Sequence, residues 1–360
     1  MWLIDPYNIT VQNGTGAADF DFSTTGTTIY TSTGAAAVIE TGTIEAALSG
    51  GGNVDIITGA GGNVLEGDIT FAADTHLDFN SVGNGKTSTL TLTADRNIIF
   101  EADTVVDPLL STIYDSNIAA NSQSQLNVVL QANNNNNGTG SIVLKDGVEI
   151  KTEGGDFTAS GVGFSMTSPI VAAKVTTGGG DFIASGTTFD SGEGTIDVGL
   201  GSVNLNGIAG ITSSVHLGNI VTTGNSSSNL LVQNAATITQ ALGTAVNIRQ
   251  YSFLGNSTSS ITLNESANVF NNYIDLQADS VSIFATGSIL LNSDSVINDS
   301  LALKSINGGT ISVETSGSGS IKGSNGTGCN LGTATATFET VGGTVNLSDS
   351  GNDFDRVNII

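Results

Sequence analysis

Acidic residues are the first candidates for chemistry in this 360-residue chain, which has 33 Asp and Glu but only nine Lys and Arg. The carboxylates form two close pairs, Asp19 with Asp21 and Asp353 with Asp355. Clustered carboxylates with a basic residue beside them cleave sugar polymers in hydrolases and lyases. Guanidinium groups are few: Arg96, Arg249 and Arg356. The sequence therefore predicts no catalytic residues, although carboxylates from distant segments could still meet in the fold.

No metal or cofactor site is predicted either. His76 and His216 lie far apart, and Cys329 is the only cysteine, so zinc-ligand spacing and an intrachain disulfide are both excluded. Calcium-binding solenoids repeat Gly-Gly-x-Gly-x-Asp, whereas the segments 51–55 and 61–65 lack the glycine at the fourth position of that pattern. The sequence does not indicate which residues bind a ligand.

The formal net charge of −24 limits the possible partners. A strongly acidic surface repels phosphate backbones and anionic lipid headgroups, so binding of nucleic acid and insertion into a membrane are not expected. Like-sign charge also keeps an elongated body soluble, which is the main interpretation of the acidity.

A short motif that returns along the chain indicates how these residues are positioned. It consists of glycine, a small polar residue, an aliphatic residue, any residue and an apolar residue, and it occurs at 67–71, 140–144, 194–198, 201–205, 287–291, 309–313 and 343–347. Each copy predicts one turn followed by one strand with a buried face. Repetition of such units is typical of a solenoid.

An internal repeat sets the expected size of one turn. Residues 152–161 match residues 177–186 at an offset of 25, and this offset superimposes Phe157 on Phe182 and Phe164 on Phe189. About 20 to 25 residues per coil is typical of a parallel β-helix, so about 15 turns are expected. The four phenylalanines are predicted to stack in the core.

The sequence thus predicts an all-β parallel β-helix with short loop excursions. Residues 1–45 are expected to form its first strands and loops and residues 46–360 its turns, in one continuous domain. Core positions alternate at Leu90, Leu92 and Ala94, and again at Leu126, Val128, Leu130 and Ala132. We further expect an excursion at 108–125, a polar turn at 133–137 and one helical turn within 230–250.

Several segments resemble filamentous-haemagglutinin-like and high-molecular-weight adhesins of Gram-negative bacteria. The first is the opening Trp2-Leu3-Ile4-Asp5-Pro6-Tyr7-Asn8-Ile9-Thr10-Val11. Others follow in the same order: Gly51–Ile56, Gly67–Ile69, Leu90–Ile98, Leu126–Ala132 and Gly154–Phe157. The resemblance covers about residues 1–190. Further along, Gly351–Phe354 resembles a recurring element of such proteins.

This resemblance implies a right-handed parallel β-helix, two-partner secretion through an outer-membrane β-barrel transporter, and adhesion to host cells that contributes to virulence. The chain lacks the signal sequence and the amino-terminal secretion domain of the family. It also ends at 357–360 inside a strand-like run. We therefore expect an internal passenger fragment.

The leading functional hypothesis is a non-enzymatic, rod-like passenger segment of a secreted or surface-bound adhesin. It is expected to be monomeric, with a transporter as partner of the full-length protein and an unidentified host receptor or glycan as ligand. Two alternatives stay open: a carbohydrate-active β-helix enzyme, either hydrolase or lyase, and the stalk of a toxin-delivery exoprotein.

Overall fold

The protein folds as a β-solenoid of stacked parallel strands, which confirms the predicted all-β parallel β-helix. The computed structural model describes residues 7–24, 26–34, 36–49, 51–58, 67–78, 87–107, 125–134, 138–166, 170–208, 213–223, 228–256, 258–291, 295–306, 311–313, 329–330, 335–340, 345–346, 352–353 and 356–360. The chain divides into two compact units. Unit 1 comprises 1–186 with 194–198, and unit 2 comprises 187–193 with 199–360.

The secondary structure is dominated by short strands. The first half of the chain contains β1 (Asn8–Gln12), β2 (Ala17–Ala18), β3 (Phe20–Thr24), β4 (Thr27–Ser32), β5 (Ala36–Glu40), α1 (Thr41–Ser49), β6 (Asn53–Ile57), β7 (Ile69–Phe71), β8 (His76–Asp78), β9 (Thr87–Thr93), β10 (Ile98–Phe100), β11 (Val105–Asp107), β12 (Gln125–Gln131), β13 (Ser141–Leu144), β14 (Glu149–Lys151), β15 (Phe157–Ser160), β16 (Gly163–Ser165), β17 (Lys174–Thr176), β18 (Phe182–Gly186) and β19 (Thr188–Asp190).

Strands also make up the second half. They are β20 (Thr195–Gly199), β21 (Val203–Gly207), β22 (Ser214–Leu217), β23 (Asn219–Thr222), β24 (Leu230–Gln233), β25 (Thr237–Gln240), β26 (Val246–Ile248), β27 (Ser252–Gly255), β28 (Ser260–Leu263), β29 (Val269–Phe270), β30 (Tyr273–Thr286), β31 (Ile289–Leu291), β32 (Val296–Ile306), β33 (Ile311–Val313), β34 (Cys329–Asn330), β35 (Thr335–Thr340), β36 (Val345–Asn346), β37 (Asn352–Asp353) and β38 (Arg356–Ile359).

Unit 1 is built from three stacks of strands. The first stack runs β3-β4-β6-β9-β12-β15-β18, and its neighbours pair in parallel except for the antiparallel β3. The second runs β2-β5-β1-β7-β10-β13-β16, with β2 antiparallel. The third runs β8-β11-β14-β17-β20 and is parallel throughout. From β6 to β17, each turn therefore contributes one strand to each stack.

Unit 2 repeats the same arrangement with longer strands near its end. Its first stack is β21-β24-β27-β30-β31-β33-β36, and its third is β23-β26-β29. The second stack runs β19-β22-β25-β28-β30-β32-β35-β38. Strand β30 belongs to two stacks because its 14 residues continue around a corner of the turn.

In-register columns of apolar side chains fill the interior. Phe157 lies directly opposite Phe182, and their rings stack with centroids 5.0 Å apart and an interplanar angle of 11°. Both side chains are fully buried, and Phe164 and Phe189 are buried as well, so the predicted core phenylalanines are confirmed. The predicted core positions at 90–94 and 126–132 are confirmed too. Each buried phenylalanine, leucine or valine side chain among them contributes about 1.5–3 kcal/mol.

The glycine motif predicts strands well and turn length poorly. All seven copies lie at strands, namely β7, β13, β20, β21, β31, β33 and β36. The 25-residue spacing is found between β15 and β18, but Ile98 pairs with Ile142, 44 residues later, and Val175 pairs with Ile196, only 21 later. The solenoid has about nine turns, so the expected 15 is wrong.

Two local expectations need correction or limitation. The helical turn expected within 230–250 is wrong, because Thr237–Gln240 is strand β25 with Ile238 fully buried. In the polar turn at 133–137, Asn133 has a left-handed φ of 61°, which suits a turn. Residues 135–137 of that turn and 108–124 of the expected excursion lie outside the described residues. The division at residue 45 stays a prediction.

A short helix and two antiparallel strands cover the first turn of unit 1. Asp19, with a φ of 62°, bends the chain between β2 and β3, so that these strands run along the edges of two stacks. Helix α1, which the sequence did not predict, covers the edge of β8 and buries Ile44 and Leu48 completely. Solenoid ends need such covers because open edges promote association.

Among the described residues, no helix is long and apolar enough to cross a membrane.

Polar side chains tie successive turns together where the second-stack strands begin. The Asn8 Oδ1 accepts hydrogen bonds from the backbone N–H groups of Gly67 and Asp68, at 3.0 and 2.9 Å. The Asp68 carboxylate accepts from the Asn97 N–H at 3.0 Å, and the Asn97 Oδ1 accepts from the Ser141 N–H at 2.9 Å. This ladder fixes the register of one turn on the next.

Replacing Phe157 with alanine tests the core column. We expect the free energy of unfolding to fall by about 3–5 kcal/mol, because a stacked, fully buried ring is replaced by a cavity. Thr158→Ala on the outer side of the same strand is the control, with an expected change within about 0.5 kcal/mol. Urea unfolding followed by circular dichroism measures both. Equal effects of the two substitutions would contradict the inward column.

The contact between α1 and β8 predicts a pH dependence. Burial raises the pKa of the Glu45 carboxyl; the hydrogen bond that it accepts from the Asp78 N–H, at 2.9 Å, lowers it, and the Asp78 charge raises it. A carboxyl with a raised pKa favours folding when protonated, and this contribution is lost as the pH rises through the raised pKa. Glu45→Gln should therefore become more stable than the wild type as the pH rises above the ordinary value of 4.5. Thermal unfolding between about pH 4 and 7 measures this difference. A difference that shrinks with rising pH would contradict it.

Candidate functional site

The structure places Asp19 and Asp21 in unit 1 and Asp353 in unit 2. Asp19 lies at the bend before β3, and Asp21 is exposed on that strand. Asp353 lies in β37, and Asp355 lies outside the described residues. Within the part of the chain that the structure describes, no three His, Cys, Asp or Glu side chains lie close enough to hold a metal ion.

The basic and histidine candidates are divided between the two units. Arg96 donates from Nε to the Asp68 Oδ1 at 2.7 Å, an ion pair between two turns of unit 1. Arg249 is exposed in unit 2, and Arg356 lies opposite Thr335 on the last strand pair.

His76 is exposed on β8, whereas the His216 Nδ1 lies 2.8 Å from the Thr239 hydroxyl. Cys329 lies opposite Asn352 in a two-residue strand pair.

The outer face of the first stack in unit 1 is mainly polar. One outward row contains Thr93, Gln131 and Ser160 on successive turns, and the Thr93 hydroxyl donates to the Gln131 Oε1 at 3.3 Å. Because side chains alternate along a strand, this row lies on the solvent side of the fully buried Leu92 and Leu130. Such a surface is well solvated.

The first stack of unit 2 has a different outer face. Phe253 follows Leu231 in register, and Asp275 follows Phe253 on the next turn. Tyr251 and Tyr273 precede these positions by two residues. The side chains of Leu231, Phe253 and the two tyrosines are all half-buried. We call Tyr251, Phe253, Tyr273 and Asp275 the aromatic face.

A buried carboxylate organises this face. Asp275 is only 5% exposed although it lies on the outer side of β30, between the inward Ile274 and Leu276. The Tyr251 hydroxyl donates a hydrogen bond to the Asp275 Oδ2. This bond ties Tyr251 to the next turn and gives a partner to a carboxyl that would be expensive to bury without one.

Amide side chains border the rings. The Asn272 Nδ2 donates to the Gln250 Oε1 at 3.2 Å, and the Asn272 Oδ1 accepts from the Tyr273 N–H at 2.8 Å. Asn272 and Gln250 belong to adjacent turns, so the stacking of one turn on the next positions both these amides and the rings. Half-buried aromatic surface next to fixed amide and hydroxyl groups can bind a ligand that has both apolar and hydroxylated faces. A sugar ring has both.

A groove elsewhere in unit 2 is the other candidate. It has a volume of about 250 Å³ and is lined by residues that include Asn264, Ser282, Phe284 and Lys304. The Lys304 Nζ lies 5.2 Å from the centre of the Phe284 ring, and the Ser282 hydroxyl donates to the Asn264 Oδ1 at 2.8 Å. Because the ammonium group lies over the ring, that ring offers less surface for stacking than the aromatic face does.

Comparison of this chain with protein-family models, with curated proteins and with solved structures finds no match.

Sequence reasoning missed the aromatic face. The available signal was the recurrence of a tyrosine at 251 and at 273, 22 residues later. Two residues after each tyrosine, at 253 and 275, lies an outward position that pairs with the other across adjacent turns. That offset differs from the 25 residues of the phenylalanine repeat, and nothing in the sequence marks which side of the strand is outward. The acidic pairs at 19–21 and 353–355 drew attention only because they are close in sequence.

Removing one hydroxyl tests the organisation of the aromatic face. Tyr251→Phe should lower the free energy of unfolding by about 1–3 kcal/mol at neutral pH, because Asp275 loses a donor. In an Asp275→Asn background the same change should cost less, since no buried charge needs the hydroxyl. Urea unfolding of the four proteins gives the coupling. Additive effects would show that the bond does not organise the face.

Proposed function

We propose that this chain is a non-enzymatic segment of a bacterial adhesin that contacts its target through the aromatic face of unit 2. The observation that carries the proposal is the group of three half-buried rings around the buried Asp275 in the first stack of unit 2, since the outer rows of the first stack of unit 1 are mainly polar. Contact residues that are rigid and aromatic lose little entropy on binding, which suits adhesion.

The proposed target is a glycan on a cell or other surface. Rings can stack on the apolar side of a sugar, and the amides at the border can bond its hydroxyl groups. The net charge of −24 disfavours strongly anionic glycans because they would be repelled at long range. Neutral sugars are therefore the favoured class.

The solenoid suits a display role because each turn is held to the next by backbone bonds, polar ladders and inward apolar columns. The sequence resemblance supports the rest of the proposal: the full-length protein of a Gram-negative bacterium would pass through an outer-membrane β-barrel transporter and remain secreted or on the cell surface. The chain would act as a monomer, and its adhesion would contribute to virulence.

Substitution of Phe253 tests the proposal. Purified protein on beads should adhere to glycan-bearing surfaces, and Phe253→Ser should reduce adhesion about tenfold or more, as expected for an aromatic anchor. Ile183→Ser is the matched control, because Ile183 is a half-buried apolar residue on the outer face of the same kind of stack in unit 1. Circular dichroism checks that both variants fold.

Two results would overturn this proposal. Equal loss of adhesion in Phe253→Ser and Ile183→Ser would remove the special role of the aromatic face. A glycan that binds on an array and is then cleaved, as shown by product analysis, would replace the adhesin with a carbohydrate-active enzyme.

A further inference from the structure

Strand β3 of unit 1 is an edge strand with an unusual degree of exposure. Among the described strands it pairs only with β4, in an antiparallel register that places Phe20 opposite Ser32 and Phe22 opposite Tyr30. Four of its five residues are exposed, and Phe22 is 63% exposed. An open edge of this kind offers backbone donors and acceptors to another extended chain.

The two sides of β3 differ in chemistry. Phe20 and Phe22 lie on the same side as Tyr30, which is only 6% exposed, and their ring centroids lie 5.9 and 5.8 Å from that of Tyr30. Asp21 points to the opposite side because side chains alternate along a strand. An added strand would therefore meet an aromatic surface on one side and a carboxylate on the other.

Charge around this edge has one sign. The first 85 residues contain ten Asp and Glu and neither Lys nor Arg. Asp19 adjoins β3, and Asp55 lies on the outer side of β6, the second strand beyond it. Like charges placed opposite one another weaken binding, whereas a basic strand placed opposite these carboxylates would bind more tightly.

We propose that the edge of β3 binds an extended segment of a partner that alternates apolar with basic side chains. Its backbone would pair with β3, its apolar residues would cover Phe22, and its Lys or Arg residues would face Asp21. A second copy of this chain is the weaker occupant, because edge-to-edge pairing would bring two acidic edges together. This inference does not depend on the aromatic face.

A pair of synthetic peptides tests this proposal on the whole chain. One short peptide alternates valine with lysine, and the other has the same composition with the valines grouped together. The alternating peptide should bind at least about tenfold more tightly by fluorescence anisotropy. It should also slow hydrogen exchange of the amides at 20–24, which a merely electrostatic contact would not do.

Substitutions of single charges make the test specific. Asp21→Lys should weaken the alternating valine–lysine peptide about tenfold and favour a valine–glutamate peptide instead. Glu193→Lys makes the same charge change at an exposed position of unit 2 and should leave both affinities nearly unchanged. Phe22→Ser should weaken the binding of both the alternating valine–lysine peptide and the valine–glutamate peptide.

Three outcomes would overturn the proposal. The first is equal binding of the alternating and grouped peptides. The second is an equal effect of Asp21→Lys and Glu193→Lys, which would indicate attraction to the overall charge. The third is a dimer in sedimentation experiments that Phe22→Ser abolishes, since the edge would then bind a second copy.

Discussion

Register between successive turns is the constraint on which the rest of this structure depends. Parallel strands one turn apart share backbone hydrogen bonds, so each inward side chain lies directly above its counterpart, as Phe157 does with Phe182. A slip of one residue would turn every core side chain outward. The ladder through Asn8, Asp68 and Asn97 adds side-chain bonds that oppose such a slip.

The same register organises the surface. Outward residues recur one strand spacing apart, about 4.8 Å, because the backbone pairing of the stack sets their positions. In unit 1 this produces polar rows, whereas in unit 2 it places Phe253 beside Asp275 and Tyr251 within hydrogen-bonding reach of that carboxylate. A binding face can therefore arise from a few substitutions on an unchanged scaffold.

Much of the fold could be predicted from the sequence because alternation and glycine turns are local signals. Strands such as β13 and core positions such as Leu130 follow from a few neighbouring residues. The number of turns and helix α1 could not, because insertions between Ile98 and Ile142 and the packing of Leu48 depend on contacts distant in sequence. The aromatic face was missed for the same reason: it joins residues 22 positions apart.

Cross-linking would test the register most directly. In a Cys329→Ser background, Leu231→Cys with Phe253→Cys places two thiols on opposed positions of adjacent turns. Their Cα atoms, about 4.8 Å apart, would suit a disulfide. We expect mild oxidation to link this pair in the folded protein and to leave Leu231→Cys with Tyr251→Cys unlinked, as read by mass spectrometry. Preferential linking of the second pair would contradict in-register stacking and the aromatic face built on it.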